Sequence, residues 1–191
     1  MARRAARREE LLDAALRAIR REGPGVSMEA IATEAGCTKP IVYRHFGDRN
    51  GLADALAERF AGDLVAALDE ALHAALPPEQ LVRATIDTYL AFVERDPEVY
   101  RFLIGRLADP RGSEEATHLV ARVGQRVAVV LGEQLHAAGV DTGPAEPWAF
   151  GIVGMVHLAG DWWLDRRTMG RDRLVTYLST LLWGGLSSVT D

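Results

Sequence analysis

The sequence predicts an all-α fold of about nine helices, and three observations carry that expectation. Ala, Leu, Arg and Glu, all good helix formers, dominate the 191 residues. No stretch alternates apolar and polar residues as a half-buried strand does. Apolar residues recur instead at intervals of three and four, and Pro and Gly gather in the short segments between these stripes.

The first helix is expected over Glu9–Glu22, with Leu12, Ala15, Leu16 and Ile19 inward, and Gly23-Pro24-Gly25 stops it. Val26 packs back as a hydrophobic staple before Ser27, which caps a second helix. Met28, Ile31, Ala32 and Ala35 give that helix one apolar face, and Gly36 can take the left-handed conformation that ends it. Thr38 caps a third helix with Pro40 in its first turn, where a missing N–H costs nothing. Val42 and Phe46 point inward, which leaves Lys39, Pro40, Tyr43 and Arg44 outside. Helix, glycine turn, helix with a basic and aromatic outer face is a helix-turn-helix, whose second helix enters the DNA major groove.

Charge supports this when it is divided. The chain carries 22 Lys and Arg against 27 Asp and Glu, a net charge of −5. Residues 1–50 balance at +3 and the remainder at −8, as expected of a basic segment that meets phosphates and an acidic body that does not. Arg3, Arg4, Arg7 and Arg8 concentrate the positive charge at the start. The single cysteine, Cys37, excludes an intrachain disulfide, and its place in the turn suits a small buried hydrophobe. The basic N-terminus lacks the apolar core of a secretory signal, so a cytoplasmic location is expected.

Asp48 is placed to cap the fourth helix, expected to run to about Leu76. Leu52, Leu56, Phe60, Leu64, Leu68, Leu72 and Leu76 recur every four residues along it. At 3.6 residues per turn such a stripe drifts by roughly 40° per step, so its two ends face different directions. The helix should pack first on the DNA-binding unit and then on a second core. Further helices are expected over Glu79–Arg95, Glu98–Leu107, Ser113–Ala138, Trp148–Leu164 and Arg171–Val189. The segment Trp148–Leu164 is almost wholly apolar, but at 17 residues with His157 and Asp161 inside it is a poor membrane span. It and the closing helix (Leu174, Leu178, Leu181, Leu182 and Leu186 on one side) have more apolar faces than a body this small can cover. A homodimer through these last two helices is therefore expected, with His157 and Asp161 as a hydrogen-bonded pair in the interface.

The segment Tyr43-Arg44-His45-Phe46-Gly47-Asp48-Arg49, with Leu52 after it, resembles the signature of the TetR family of transcriptional regulators. The resemblance is strong over residues 9–60. It implies a three-helix DNA-binding domain over 1–50 and a helical ligand-binding and dimerisation domain over 51–191. It also implies double-stranded DNA with a palindromic operator as one partner and a small-molecule effector that relieves repression as another. On the matching positions, Tyr43 and His45 correspond to the family's phosphate-contacting pair. Lys39 can donate to guanine and Pro40 can touch a thymine methyl. Ile41 either adds a methyl contact or packs inside. Arg44 meets phosphate or a base, and Arg49 stands at a helix start that favours an anion. Ser27 and Thr38 can donate to phosphate as well as cap. Asn50-Gly51 departs from the usual acidic or bulky pair and is expected to loosen the start of the fourth helix.

A ligand pocket is expected among the later helices. Its aromatic candidates are Tyr89, Phe92, Phe102, Trp148 and Trp162, and its polar candidates are Arg106, His118 and Arg122, for a hydrophobic or amphipathic effector. No phosphate-binding Gly loop, metal-ligand spacing or nucleophile motif is present in the sequence, so neither an enzyme, a metal site nor a cofactor is expected. The alternative is a helix-turn-helix adaptor for a protein partner, against which the cationic residues Arg3 to Arg8, Lys39 and Arg49 argue.

Overall fold

The computed structural model describes residues 2–104 and 114–190. Within them lie nine helices and no strand: α1 (Ala2–Glu22), α2 (Met28–Glu34), α3 (Lys39–Phe46), α4 (Arg49–Leu72), α5 (Pro78–Arg95), α6 (Pro97–Ile104), α7 (Glu114–Ala137), α8 (Ala145–Arg166) and α9 (Arg171–Thr190). None is long and apolar enough to cross a membrane. The chain forms two compact units, one of residues 1–61 and 96–117, the other of residues 62–95 and 118–191.

In the first unit the helix starts follow from local chemistry. The Ser27 hydroxyl accepts from the Ala30 N–H at 3.1 Å and caps α2. At the other end of α2, the Gly36 N–H reaches the Thr33 carbonyl and the Cys37 N–H the Ala32 carbonyl. This paired closure needs a left-handed residue, and Gly36 has φ +60. Thr38 occupies the capping position of α3 without a side-chain cap bond, and Pro40 sits in the first turn.

The helix α1 begins at Ala2 rather than near Glu9, so the early arginines are helical. Its buried side is broader than the expected stripe: Leu11, Ala14 and Ala18 join Leu12, Ala15 and Ile19, while Leu16 is only half-buried. The reason is that α1 contacts both α2 and α6. Three short helices are a small unit for a core of their own, and these neighbours complete it. Leu52, Leu56 and Phe60 of α4 and Val99, Tyr100, Phe102 and Leu103 of α6 are all buried. The Arg20 guanidinium fixes the start of α6 by two bonds to Asp96, at 2.6 and 2.9 Å.

The turn from α3 into α4 is tight, not loose. Gly47 has φ 79 and ψ −69, and the Asp48 N–H closes on the Phe46 carbonyl at 3.0 Å. That is a positive-φ γ-turn, strained for any residue with a side chain. Asp48 then caps α4 by accepting from the Gly51 N–H at 2.8 Å. A Cβ at Gly51 would stand 2.0 Å from the Phe46 carbonyl oxygen. Gly to Ala within a helix ordinarily gains about 1 kcal/mol. Here the clash reverses the sign, and Gly51→Ala should destabilise by about 1–3 kcal/mol, the usual range for overpacking. Urea unfolding measures it; a stabilised Gly51→Ala protein would mean that the turn is looser than described.

In the second unit α5 packs on α9 and α8. Gly160 of α8 lets Leu90 and Tyr89 approach to 3.1 and 3.3 Å of where its Cβ would stand. Arg171 bridges Asp87 and Glu94, each at 2.8 Å, and Arg167 reaches Glu94 at 2.7 Å. The winding stripe on α4 stays buried through Leu72, where the helix ends; Leu76 lies beyond it and is 40% exposed. His73 closes the end with its ring Nδ1 2.7 Å from the Asp69 carbonyl oxygen.

Candidate functional site

Two features stand out, one in each unit. The first is the outer surface of α3. Lys39, Pro40, Tyr43 and Arg44 are exposed, as are Thr38 and Ser27, while Ile41 and His45 are half-buried. Val42 and Phe46 are buried and hold the helix in place. The Lys39 ammonium lies 5.9 Å from the centre of the Tyr43 ring, a cation–π pair that draws both side chains to one patch. Arg8 of α1 stands 5.2 Å from the Phe46 ring centre.

The charge of this surface can be read from His45. Partial burial pushes its pKa below the ordinary histidine value, and the positive charges of Arg44, Arg4, Arg7 and Arg8 push it further the same way. Four arginines from two helices thus bear on one imidazole. Arg7 is partly neutralised by Glu10 at 2.6 Å. Arg49 is turned differently: its guanidinium donates to the Val26 carbonyl and, at 3.0 Å, to the Pro24 carbonyl. It also covers the Phe102 ring at 5.4 Å. These two bonds orient the guanidinium toward the backbone of the loop before α2. Arg49 thus ties α4 to the loop before α2, a role its sequence position did not signal.

The second feature is a cavity of about 470 Å³ inside the second unit, walled by α4, α5, α7, α8 and α9. Aliphatic side chains dominate it, among them Leu68 and Leu72 of α4, Val127 and Leu131 of α7, and Leu182 and Leu186 of α9. Of the expected ligand contacts it takes in Tyr89 and Trp148. Phe92 is buried beside it without lining it, under the Arg95 guanidinium. Phe102 is buried in the other unit, and Trp162 faces outward, 46% exposed. Arg122 is exposed on α7 and lines only a shallow depression with Val65 and Val129. Arg106 and the side chain of His118 lie outside the described residues.

The cavity also recruits residues that the pattern of aromatics did not single out as contacts: Gln134, Trp183 and His157. His157 was expected to pair with Asp161 in an interface. Instead its Nδ1 lies 3.1 Å from the Tyr89 hydroxyl, because the rotation of α8 turns it toward α5. Asp161 acts on it only through charge, and burial outweighs that effect, holding the His157 pKa below the usual value.

Outside the cavity, α8 and α9 each keep an uncovered apolar face. Phe150, Leu158 and Trp162 on the one, and Tyr177 and Leu181 on the other, are exposed. Gly151 and Gly154 on α8 and Gly184 and Gly185 on α9 have open space above them. Large exposed apolar groups gathered on neighbouring helices mark an interaction surface.

Comparison with known proteins agrees with this layout. Residues 11–56 match the family described as bacterial regulatory proteins, tetR family, and residues 67–191 match that described as tetracyclin repressor-like, C-terminal domain. An uncharacterised HTH-type transcriptional regulator of Mycobacterium tuberculosis is 37% identical over 188 residues, 97% of this chain and 79% of the relative. The HTH-type transcriptional activator FasR of Mycolicibacterium smegmatis is 27% identical over 165 residues, 85% of this chain and 74% of that protein. A TetR-family transcriptional regulator from Streptomyces coelicolor superposes with a TM-score of 0.79 at 26% identity, covering 98% of this chain and 84% of the other.

Proposed function

Because the chain belongs to the TetR family and is a DNA-binding transcriptional regulator, we propose that it is a cytoplasmic homodimeric repressor released from a palindromic operator by a small apolar effector. The single observation that carries this reading is the exposed, cationic face of α3 in one unit together with a partly enclosed apolar cavity in the other. Residues 1–50 serve as the reading head, and residues 51–191 bind the effector and the second subunit.

On the reading head, Lys39, Pro40 and Ile41 open α3, where side chains reach base edges. Tyr43, Arg44, His45, Ser27 and Thr38 serve phosphates and fix register. Arg49 joins them through the N–H donors that the Pro24 and Val26 carbonyls do not use. Two copies of α3 must stand about 34 Å apart to enter successive major grooves. The uncovered faces of α8 and α9 support pairing of the two subunits there.

The link between sites is α4. It is one continuous helix whose first half carries Leu52 and Leu56 into the core beside α1, while Leu68 and Leu72 line the cavity. An effector that favours a different placement of Leu68 and Leu72 shifts the population toward a spacing unfit for the operator, in proportion to its differential affinity.

Selection of bound DNA from a random pool tests this. An inverted repeat with half-sites about ten base pairs apart is expected to be enriched, with binding that falls steeply with salt. Lys39→Ala should relax preference at one position in each half-site, and Tyr43→Ala should weaken all sequences alike. If no inverted repeat emerges, the repressor reading fails; if binding lacks salt dependence, a protein-binding adaptor becomes the better reading.

The depressed pKa of His45 adds a pH dependence. In the free protein the neutral form is favoured, so His45 contributes stability present above the ordinary histidine range and lost as pH falls through it. A phosphate beside the imidazole reverses the repulsion, so DNA binding takes up a proton. Operator affinity at constant salt should therefore rise as pH is lowered toward 6, with a limiting slope of about one log unit per pH unit per subunit. Fluorescence anisotropy checks it: the slope should vanish in His45→Gln, and a slope unchanged by that substitution would place the titration elsewhere.

A further inference from the structure

The lining of the cavity restricts the charge of what can enter it. Resting on the reading of this cavity as the effector site, we infer that the effector is an uncharged apolar molecule bearing a hydroxyl or carbonyl group, and that carboxylates and amines of the same carbon skeleton are rejected.

Among the described residues, no Lys, Arg, Asp or Glu lines the cavity. Its polar side chains are Thr85, Tyr89, Gln134 and His157 besides the two indoles of Trp148 and Trp183. The Thr85 hydroxyl donates back to the Leu81 carbonyl of its own helix at 2.8 Å. Gln134 is exposed on α7, so its amide has access to water. Tyr89 and His157 remain as a joined pair, 3.1 Å apart. Burial holds the imidazole in its neutral form at neutral pH. A neutral imidazole and a phenol exchange donor and acceptor roles with the tautomer, so the pair suits either a hydroxyl or a carbonyl oxygen.

An ion has no such match. A carboxylate or an ammonium entering an apolar cavity loses its hydration, and only an opposite charge or several hydrogen bonds offset that loss. Of the arginines beside lining residues in the chain, Arg126 pairs with Asp69, Arg83 donates to the Thr176 hydroxyl at 2.9 Å, and Arg122 is exposed in the shallow depression with Val65 and Val129. The acidic Asp161, one turn from His157, is not part of the lining.

The test uses the full-length protein without DNA and three probes of equal length: 1-decanol, decanoate and decylammonium, each displacing the neutral dye Nile red at pH 7.5. Decanol is expected to compete at least about 100-fold more strongly than either ion, the penalty of stranding a charge in an apolar site. Tyr89→Phe should weaken decanol about fivefold, the worth of one neutral hydrogen bond, once competition is corrected for that variant's own affinity for the dye. Leu131→Lys, at a half-buried lining position, should invert the order so that decanoate overtakes decanol. Decanoate competing within about tenfold of decanol in the parent protein overturns the inference. So does dye that binds but yields to none of the three probes, or a folded Leu131→Lys protein that keeps the original order. Operator selection is measured separately. A failed charge preference beside an intact operator sinks only this inference, and a failed operator beside an intact preference sinks only the repressor reading.

Discussion

Replacing Leu158 and Leu181 together by glutamate is expected to leave a folded monomer whose operator affinity has fallen by at least about 100-fold, the usual gain from tethering two binding heads. The two leucines are 68% and 65% exposed, so neither substitution opens a cavity or strands a charge within the subunit. Single exposed substitutions of this kind usually change subunit stability by no more than about 0.5 kcal/mol. In a dimer paired through α8 and α9 the same four carboxylates would be brought together out of water. Analytical ultracentrifugation reads the assembly state and anisotropy the affinity. A doubly substituted protein that remained dimeric would show that the subunits meet elsewhere.

Trp163→Ala is expected to cost about 3–5 kcal/mol, the range for removing a buried aromatic side chain. Trp163 is 1% exposed, and its indole N–H donates to the Met169 carbonyl at 2.7 Å. The Arg167 guanidinium covers the ring at 4.5 Å. Arg167 is also the residue that ends α8, with φ 47, a left-handed conformation that few side chains adopt. Stacking on Trp163 and pairing with Glu94 hold it there, so losing the indole removes both a core filler and the support of a helix end. The neighbouring Trp162→Ala is the control. At 46% exposure it should change subunit stability little while weakening the dimer. Urea unfolding followed by circular dichroism separates the two; equal losses would contradict the inward and outward assignment.

Much of the first unit was legible because its signals are local. Ser27, Gly36 and Pro40 act within a few residues of themselves, and their positions fix α2 and α3 to within a residue. The unit's extent was not legible, because α6 joins it through Asp96 and Arg20, residues far apart in sequence. Nothing in the 3.6-residue period says which neighbour a helix will choose. The second unit shows the same limit in another form. Its helices follow from the leucine stripes, but the selection of ligand contacts by aromatic character took in Trp162 and Phe102. Which way a side chain on an apolar helix faces depends on the rotation of that helix. Leu182 and Leu186 were visible as part of a stripe, and only packing turns them, with Trp183, into a cavity wall. Gly51 is the instructive case. Read from composition it softens a helix start, whereas the geometry of the γ-turn before it makes glycine the residue that fits.

The cavity is walled by residues drawn wholly from 62–95 and 118–191, while the face of α3 is built wholly before residue 50. Drift in the one therefore need not disturb the other. A descendant chain can exchange leucines and valines of similar size along the cavity without touching the face of α3. The exception is the pair Leu68 and Leu72, which belong to the shared helix α4. Substitutions that line the cavity from α5, α7, α8 and α9 stay within the second unit, whereas Leu68 and Leu72 sit on a helix that both units share.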